Sequence, residues 1–228
     1  MKIAAISDIH GNLEALKAVI DDINKEKINK IFVCGDLAVA GPEPAETIDF
    51  LLNLKKEKEI TFIQGNTDKW LFNEQSWPKN ETMINAIKYT QQALRPDQLE
   101  FLKSLPEQHT ETIGKLSIRL VHEESMAQNA EEDIILFGHT HLPELKKINR
   151  KSYINTGSVG RPFTENPLAC YLILNFPDPE SQDFSFEHKF IKYDKEATAE
   201  KLTALNFKGS EKLAQVILNP SLRHELFS

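Results

Sequence analysis

Short, continuously apolar runs alternate along this chain with longer stretches whose apolar residues recur every three or four positions. The first pattern reads as buried strand and the second as amphipathic helix. Lys2–Ser7, Lys30–Cys34 and Glu59–Gln64 are predicted strands, and Leu13–Asn24 and Pro44–Lys56 predicted helices. Asn12 stands where it can cap the first helix, and Pro44 opens the second, where its missing N–H has no helical partner to lose. Strand, helix, strand, helix, strand in this order predicts a parallel sheet with right-handed crossovers.

From Thr67 to His109 the pattern changes: strand-like runs are absent, and helices are predicted at Asn80–Ala93 and Pro96–Leu105. Strands return at Leu116–Val121, Asp133–Phe137, Glu144–Ile148, Ser152–Asn155, Ala169–Asn175 and Phe184–Ile191. In the last of these Phe184, Phe186, His188 and Phe190 alternate with polar residues, as in an antiparallel strand with one wet face. From about Asp194 the chain reads as helical again. No Gly/Ser-rich linker or internal repeat divides it, so one α/β domain over residues 1–228, with a helical insert at about 67–109, is expected.

Composition narrows the function. Formal net charge is -7, from 34 acidic and 27 basic residues, with no basic stripe, which disfavours extended nucleic acid as a partner. A small anionic substrate remains compatible, because bound cations reverse the local field. Cys34 and Cys170 each lie inside an apolar run, as reduced core thiols do, and the expected compartment is the cytoplasm. The run Ile3–Ile6 is too short for a signal peptide, and no stretch is long and apolar enough for a membrane span.

The residues with chemistry to offer come directly after the apolar runs. The first strand leads into Asp8 and His10, the second into Asp36, the third into Asn66, Leu116–Val121 into His122, and Asp133–Phe137 into His139 and His141. In open α/β sheets the carboxyl ends of the strands border the ligand crevice, so these side chains should converge. Each alone has an ordinary reading, as a turn-capping Asp or Asn or a hydrogen-bonded His. Seven after five strands are hard to obtain from turn preferences, since His is not a favoured turn residue. Mixed oxygen and imidazole donors suit Mn, Fe, Co, Ni or Zn, whereas an all-oxygen set would suit Mg or Ca.

Asp8-Ile9-His10-Gly11-Asn12, Gly35-Asp36, Gly65-Asn66, His122 and Gly138-His139-Thr140-His141 together resemble the calcineurin-like metallophosphoesterases. Asn155-Thr156-Gly157-Ser158-Val159-Gly160 is similar to a motif of their small bacterial and archaeal phosphodiesterase branch. The resemblance implies a four-layered α/β/β/α sandwich of two mixed sheets. It implies two divalent or trivalent metal ions, one held by Asp8, His10, Asp36 and His141 and the other by Asp36, Asn66, His122 and His139. Two departures stand out: Thr67 and Asp68 occupy the place of a His that protonates the leaving group in many relatives, and Glu123 and Glu124 come after His122 where many have Gly.

The implied reaction is hydrolysis of a phosphodiester or phosphoanhydride bond by a hydroxide held between the two cations, with Asp36 bridging them and His10 and Asn66 offsetting charge on the phosphoryl oxygens. Without the histidine acid, substrates with good leaving groups are favoured, such as nucleotides and dinucleoside polyphosphates. Asp68 is a candidate acid should burial raise its pKa, and Arg161 a candidate phosphate clamp, although a solvated surface arginine is the ordinary expectation. Trp70 or Trp77 on the insert could stack against a base, or simply belong to the core. The rival readings are a phosphomonoesterase or phosphoprotein phosphatase, a nuclease, and a protein-binding scaffold of the same fold. An oligomer is compatible with all of them.

Overall fold

The structure is a computed structural model that describes residues 1–178 and 180–226. Two mixed five-stranded sheets form its centre. In the first, β1 (Lys2–Ile6), β2 (Lys30–Val33) and β3 (Glu59–Phe62) run parallel, as their alternation with helices predicts. Two later strands, β9 (Ala169–Asn175) and β10 (Ser185–Ile191), complete it antiparallel on the far side of β1, in the order β10-β9-β1-β2-β3. The second sheet comprises β4 (Gln108–Ile113), β5 (Leu116–Val121), β6 (Ile134–Phe137), β7 (Glu144–Ile148) and β8 (Lys151–Asn155), ordered β4-β5-β6-β8-β7. Its three central strands β5, β6 and β8 are mutually parallel.

Alternation along each strand sorts the core. Ile3, Ala5, Phe32 and Cys34 of the first sheet meet Ile118, Leu120, Ile134 and Leu136 of the second to form a dry layer between the sheets. Ala4, Ile6, Ile31 and Val33 point the other way, against the helices. Both faces of β1 and β2 are therefore buried, which explains why the sequence there is continuously apolar rather than alternating. Cys34 and Cys170 are buried free thiols, and burial pushes the Cys170 thiol up to about 12.

Among the described residues the α-helices share a core with the first sheet. α1 (Leu13–Lys25) buries Leu16, Val19, Ile20 and Ile23, and the Asn12 side chain accepts from the Ala15 N–H at 3.1 Å as its cap. α2 (Pro44–Leu54), α4 (Glu81–Ala93), α5 (Pro96–Ser104), α6 (Lys195–Thr203) and α7 (Ser210–Leu218) share the same core. The outer face of the second sheet is covered thinly, by the 3-10 turn Glu124–Ala127 over Val121, Ile135 and Phe137. Among the described residues no helix is long and apolar enough to cross a membrane.

Three elements differ from the sequence expectation. The insert ends earlier, because β4 begins at Gln108 and pairs antiparallel with β5. The residues after β3 form a further short helix, α3 (Asn66–Trp70). In β10, Phe186 and His188 are half-buried but Phe190 is exposed, so the wet and dry faces are less distinct than the alternation suggests.

Candidate metal centre

The turns that leave β1, β2, β3, β5 and β6 meet at one edge of the sandwich. Asp8 N–H donates to Gly35 O at 3.0 Å and His10 N–H to Asp36 O at 2.9 Å, so the first two turns run side by side. On the other flank Val159 N–H donates to Ser7 O and Gly160 N–H to Asp8 O, at 3.0 and 2.9 Å. Five of the seven sequence-predicted residues sit in left-handed backbone: Asp8 (φ 53°), His10 (φ 52°), Asp36 (φ 57°), His139 (φ 68°) and His141 (φ 61°). Such conformations cost on the order of 1–3 kcal/mol each in non-glycine residues. They are held because burying each aliphatic side chain of the flanking strands contributes about 1.5–3 kcal/mol, and β1 alone buries Ile3, Ala4, Ala5 and Ile6 completely.

Glycine is required where turns touch. A Cβ on Gly65 would collide with the Asp36 carboxylate, and one on Gly138 with Ser7 and the Asp8 carboxylate. The absence of side chains there lets the turns after β1, β2, β3 and β6 approach closely enough to share ligands.

The seven side chains converge. Oxygen or nitrogen atoms of Asp8, His10, Asp36 and His141 all lie within 4.8 Å of one another. His122 Nε2 is 3.4 Å from Asp36 Oδ2, and Asn66 Oδ1 lies 2.9 Å from both His122 Nε2 and His139 Nδ1. Asp36 is therefore common to a buried group of four and to a second group that His139 closes at the exposed rim.

Three rings have their tautomer set by a backbone carbonyl, which can only accept. Nδ1–H of His10 donates to Val39 O at 2.8 Å, that of His122 to Cys34 O at 2.7 Å, and that of His141 to Arg161 O at 2.6 Å. In its neutral form each ring would turn a bare Nε2 inward, the arrangement that suits an imidazole ligand. With both rings in that form, the lone pairs of His10 Nε2 and His141 Nε2 face each other at 3.1 Å. Asp8 Oδ1, fully buried, has no hydrogen-bond partner.

The charges tell the same story. Burial pushes the Asp36 carboxyl up, yet the neighbouring His122 and His10 rings and the Thr67 N–H hold it well below the usual carboxylate range. Asp8 is likewise held down, chiefly by His141 against the effect of burial. Burial drives His10 down to about 3, whereas Asp36 and Asp8 outweigh burial at His122 and raise it to about 10. Opposed lone pairs, an orphaned buried oxygen and a mixed N/O donor set all fit metal ions at this place.

Asp68 differs from its sequence reading. It is fully buried, and its two oxygens accept from three backbone N–H groups, those of Gly65, Asp36 and Leu37, each at 2.9 Å. Burial and the Asp36 charge push its carboxyl up to about 6, but it lies beneath the pocket, clamping two turns together, rather than facing a leaving group. Arg161 also departs from the ordinary expectation. It is only 4% exposed, lines the pocket beside His10 and His141, and leaves Nη2 without a partner. Of the two tryptophans, Trp70 lines the pocket, and Trp77 props it by donating from Nε1 to the Trp70 carbonyl at 2.6 Å.

The motif around Asn155 proves to be scaffolding, a role sequence reading did not assign. Asn155 Nδ2 donates to the carbonyl of Gly138 at 2.6 Å, and Ser158 Oγ donates to Asp8 O at 2.9 Å while accepting from Arg161 N–H at 2.8 Å. Met83 of α4 and Phe163, stacked on His141 at 4.4 Å between ring centres, complete the pocket walls. Neither was singled out from the sequence.

The sequence profile of the calcineurin-like phosphoesterase superfamily domain matches residues 1–178. The chain belongs to this superfamily. A superfamily member of this kind is metal-dependent, in keeping with the cluster of Asp and His side chains. The chain is 30% identical over 230 residues to an uncharacterized protein of Methanocaldococcus jannaschii, covering 88% of this chain and 91% of that one. It is 26% identical over 186 residues to the phosphodiesterase YfcE of Escherichia coli, covering 77% and 88%. The crystal structure of a metallophosphoesterase from Sphaerobacter thermophilus shares the fold, with a TM-score of 0.73 at 24% identity, covering 96% of this chain and 98% of that one.

Proposed function

We propose that this phosphoesterase hydrolyses phosphodiester or phosphoanhydride bonds of a small, nucleotide-like substrate in the cytoplasm, using two metal ions. Asp8, His10, Asp36 and His141 hold one ion, and Asp36, Asn66, His122 and His139 the other. The observation that carries this reading is the convergence of Asp8, His10, Asp36 and His141 within 4.8 Å, with the Nε2 atoms of His10 and His141 3.1 Å apart. When bound, the ions supply Lewis acidity toward the phosphoryl oxygens and make water nucleophilic at neutral pH. Mn, Fe, Co, Ni and Zn all suit the donor set.

The chain's own residues do the rest. Val39 O, Cys34 O and Arg161 O fix the ring orientations, so no reorganisation of these ligands is needed as substrate enters. Arg161 presents a guanidinium N–H to the pocket and binds a phosphate oxygen. Among the described residues Thr67 stands where the usual histidine acid would be, and Asp68 is engaged below the pocket. The preferred substrates therefore have leaving groups that depart without a proton. The complete donor set argues against a purely scaffolding role.

The test is a panel of a phosphomonoester, an aryl diester, a cyclic nucleotide and a dinucleoside polyphosphate, each with added manganese and with chelator. Chelator-sensitive turnover of the diester or the dinucleoside polyphosphate supports the reading. Turnover confined to the monoester, or none at all, contradicts it.

A further inference from the structure

We propose that this chain pairs with a second copy of itself along β10, the free edge of the first sheet, about a two-fold axis at His188. The paired strands run antiparallel, so the first sheets of the two copies join into one. Nothing in this pairing depends on the phosphoesterase chemistry.

The edge is open. β10 pairs with β9 along its whole length, from Ser185 opposite Asn175 to Ile191 opposite Ala169, and no strand lies on its other side. Among the described residues no loop donates to or accepts from its outer backbone either. Alternate residues of a strand direct their N–H and C=O groups outward, so a row of unsatisfied groups runs along this edge. Natural edges are commonly shortened, bulged or interrupted by proline. β10 has 7 residues, as many as β9 and more than any other strand described, and contains neither proline nor glycine.

The strand selects its own copy as occupant. Ser185-Phe186-Glu187-His188-Lys189-Phe190-Ile191 is complementary to itself about His188. Laid antiparallel on a second copy about that residue, Glu187 faces Lys189 twice and Phe186 faces Phe190 twice, all favourable cross-strand pairs. Opposite residues must share a face of the sheet, so the nearest alternative symmetric registers move the axis by one residue. They oppose Glu187 to Glu187 or Lys189 to Lys189, and like charges directly opposite are destabilising. The charges are free to pair across the axis. Glu187 is exposed and makes no ion pair among the described residues, and Lys189 has only a 3.4 Å contact to Glu26, which Lys2 engages at 2.8 Å. His188 brings no charge to the axis, because its Nε2–H donates to Asn155 O at 2.7 Å and burial holds its pKa below the usual value.

An apolar rim lies where the copies meet. The hydrogen bond from His188 to Asn155 seats β10 over β8, whose neighbour β7 is the edge of the second sheet. On this border Phe190, Leu142 and Leu145 are 47%, 40% and 37% exposed, and Phe190 and Leu142 line one groove with Leu168. A two-fold axis perpendicular to the sheet keeps each face beside its counterpart, so this rim meets its copy. A strand pair alone is small beside the roughly 1,200–2,000 Å² of a standard interface, and the rim supplies the apolar area that it lacks.

Sedimentation of the full chain over a dilution series should reveal a monomer–dimer equilibrium. Glu187→Lys and Lys189→Glu each set like charges against one another at both pairs, so each raises the dimer Kd at least about tenfold. An equimolar mixture of the two variants dimerises, because one chain is then basic and the other acidic at both positions. The double variant Glu187→Lys, Lys189→Glu dimerises as the parent does. Hydrogen exchange reads the edge directly: β10 amides of the parent are protected at high concentration and lose that protection on dilution. A parent that is monomeric throughout, or a dimer equally tight in both single variants, overturns the pairing. So does a mixture that stays monomeric although both variants are folded by circular dichroism. Should either variant misfold, exchange in the parent decides, and β10 amides indifferent to concentration overturn the pairing as well.

Discussion

His10 and His141 meet through Nε2 atoms 3.1 Å apart, while the Nδ1–H of each ring is engaged by a carbonyl. Two lone pairs at that distance repel unless a cation lies against them. Manganese should therefore stabilise the fold. At a concentration one hundred times Kd, mass action adds about 2.7 kcal/mol, roughly 5–10 °C in Tm for a chain of this size. His141→Ala should abolish most of the increase in a thermal-shift assay. An unchanged shift in that variant would place the cation elsewhere.

Asp68 is predicted to act as a positioning residue. Replacing it with Asn keeps the shape but leaves one oxygen to serve three N–H donors. The expected loss is about 1–3 kcal/mol of stability, with weaker manganese binding because the Asp36 turn loosens. Denaturant unfolding with and without manganese measures both. A variant as stable as the parent would show that the carboxylate does not clamp the turns.

The seven convergent side chains were legible because each comes just after a strand whose apolar run is unmistakable. β4 was not: Gln108-His109-Thr110-Glu111-Thr112-Ile113 lies at a sheet edge, pairs only with β5 and buries only Ile113 fully, so no apolar run marks it. α3 was missed because five residues are too few for a helical period to register. Burial of Arg161 depends on the Ser158 turn and on Phe163 folding over it, contacts that local sequence does not encode. Asp68 was recognisable as a titratable residue near the site, but the direction its carboxylate faces is set by two turns separated by about thirty residues.

Acid sensitivity has a defined contributor on the second sheet. Glu132 accepts from Arg119 Nη2 at 2.9 Å and Thr110 Oγ1 at 3.2 Å. Burial pushes its carboxyl up, but its own backbone N–H and Arg119 prevail, so the folded value lies below the usual 4.5. A depressed carboxyl contributes stability above its unfolded pKa and loses it as pH falls through the folded value. Glu132→Gln should therefore lower Tm at pH 7, by about 2–4 °C for about 1 kcal/mol. The difference should close below pH 4.5, as measured by calorimetry across pH. A gap independent of pH would mean that packing, not charge, is lost.

The rim residue His139 belongs to one proposed ion only, whereas Asp36 belongs to both. His139→Ala should thus retain one manganese per chain by elemental analysis, with hydrolysis reduced about a hundredfold or more.

The central claim is that Asp36 joins two cations in one cluster, and metal content reads it most directly. Anomalous diffraction from manganese-soaked crystals of the parent and of Asp36→Ala, with elemental analysis of the same protein, should find two adjacent ions between Asp8 and His139 in the parent and neither at full occupancy in the variant. A single ion in the parent, or two retained without Asp36, would contradict the account.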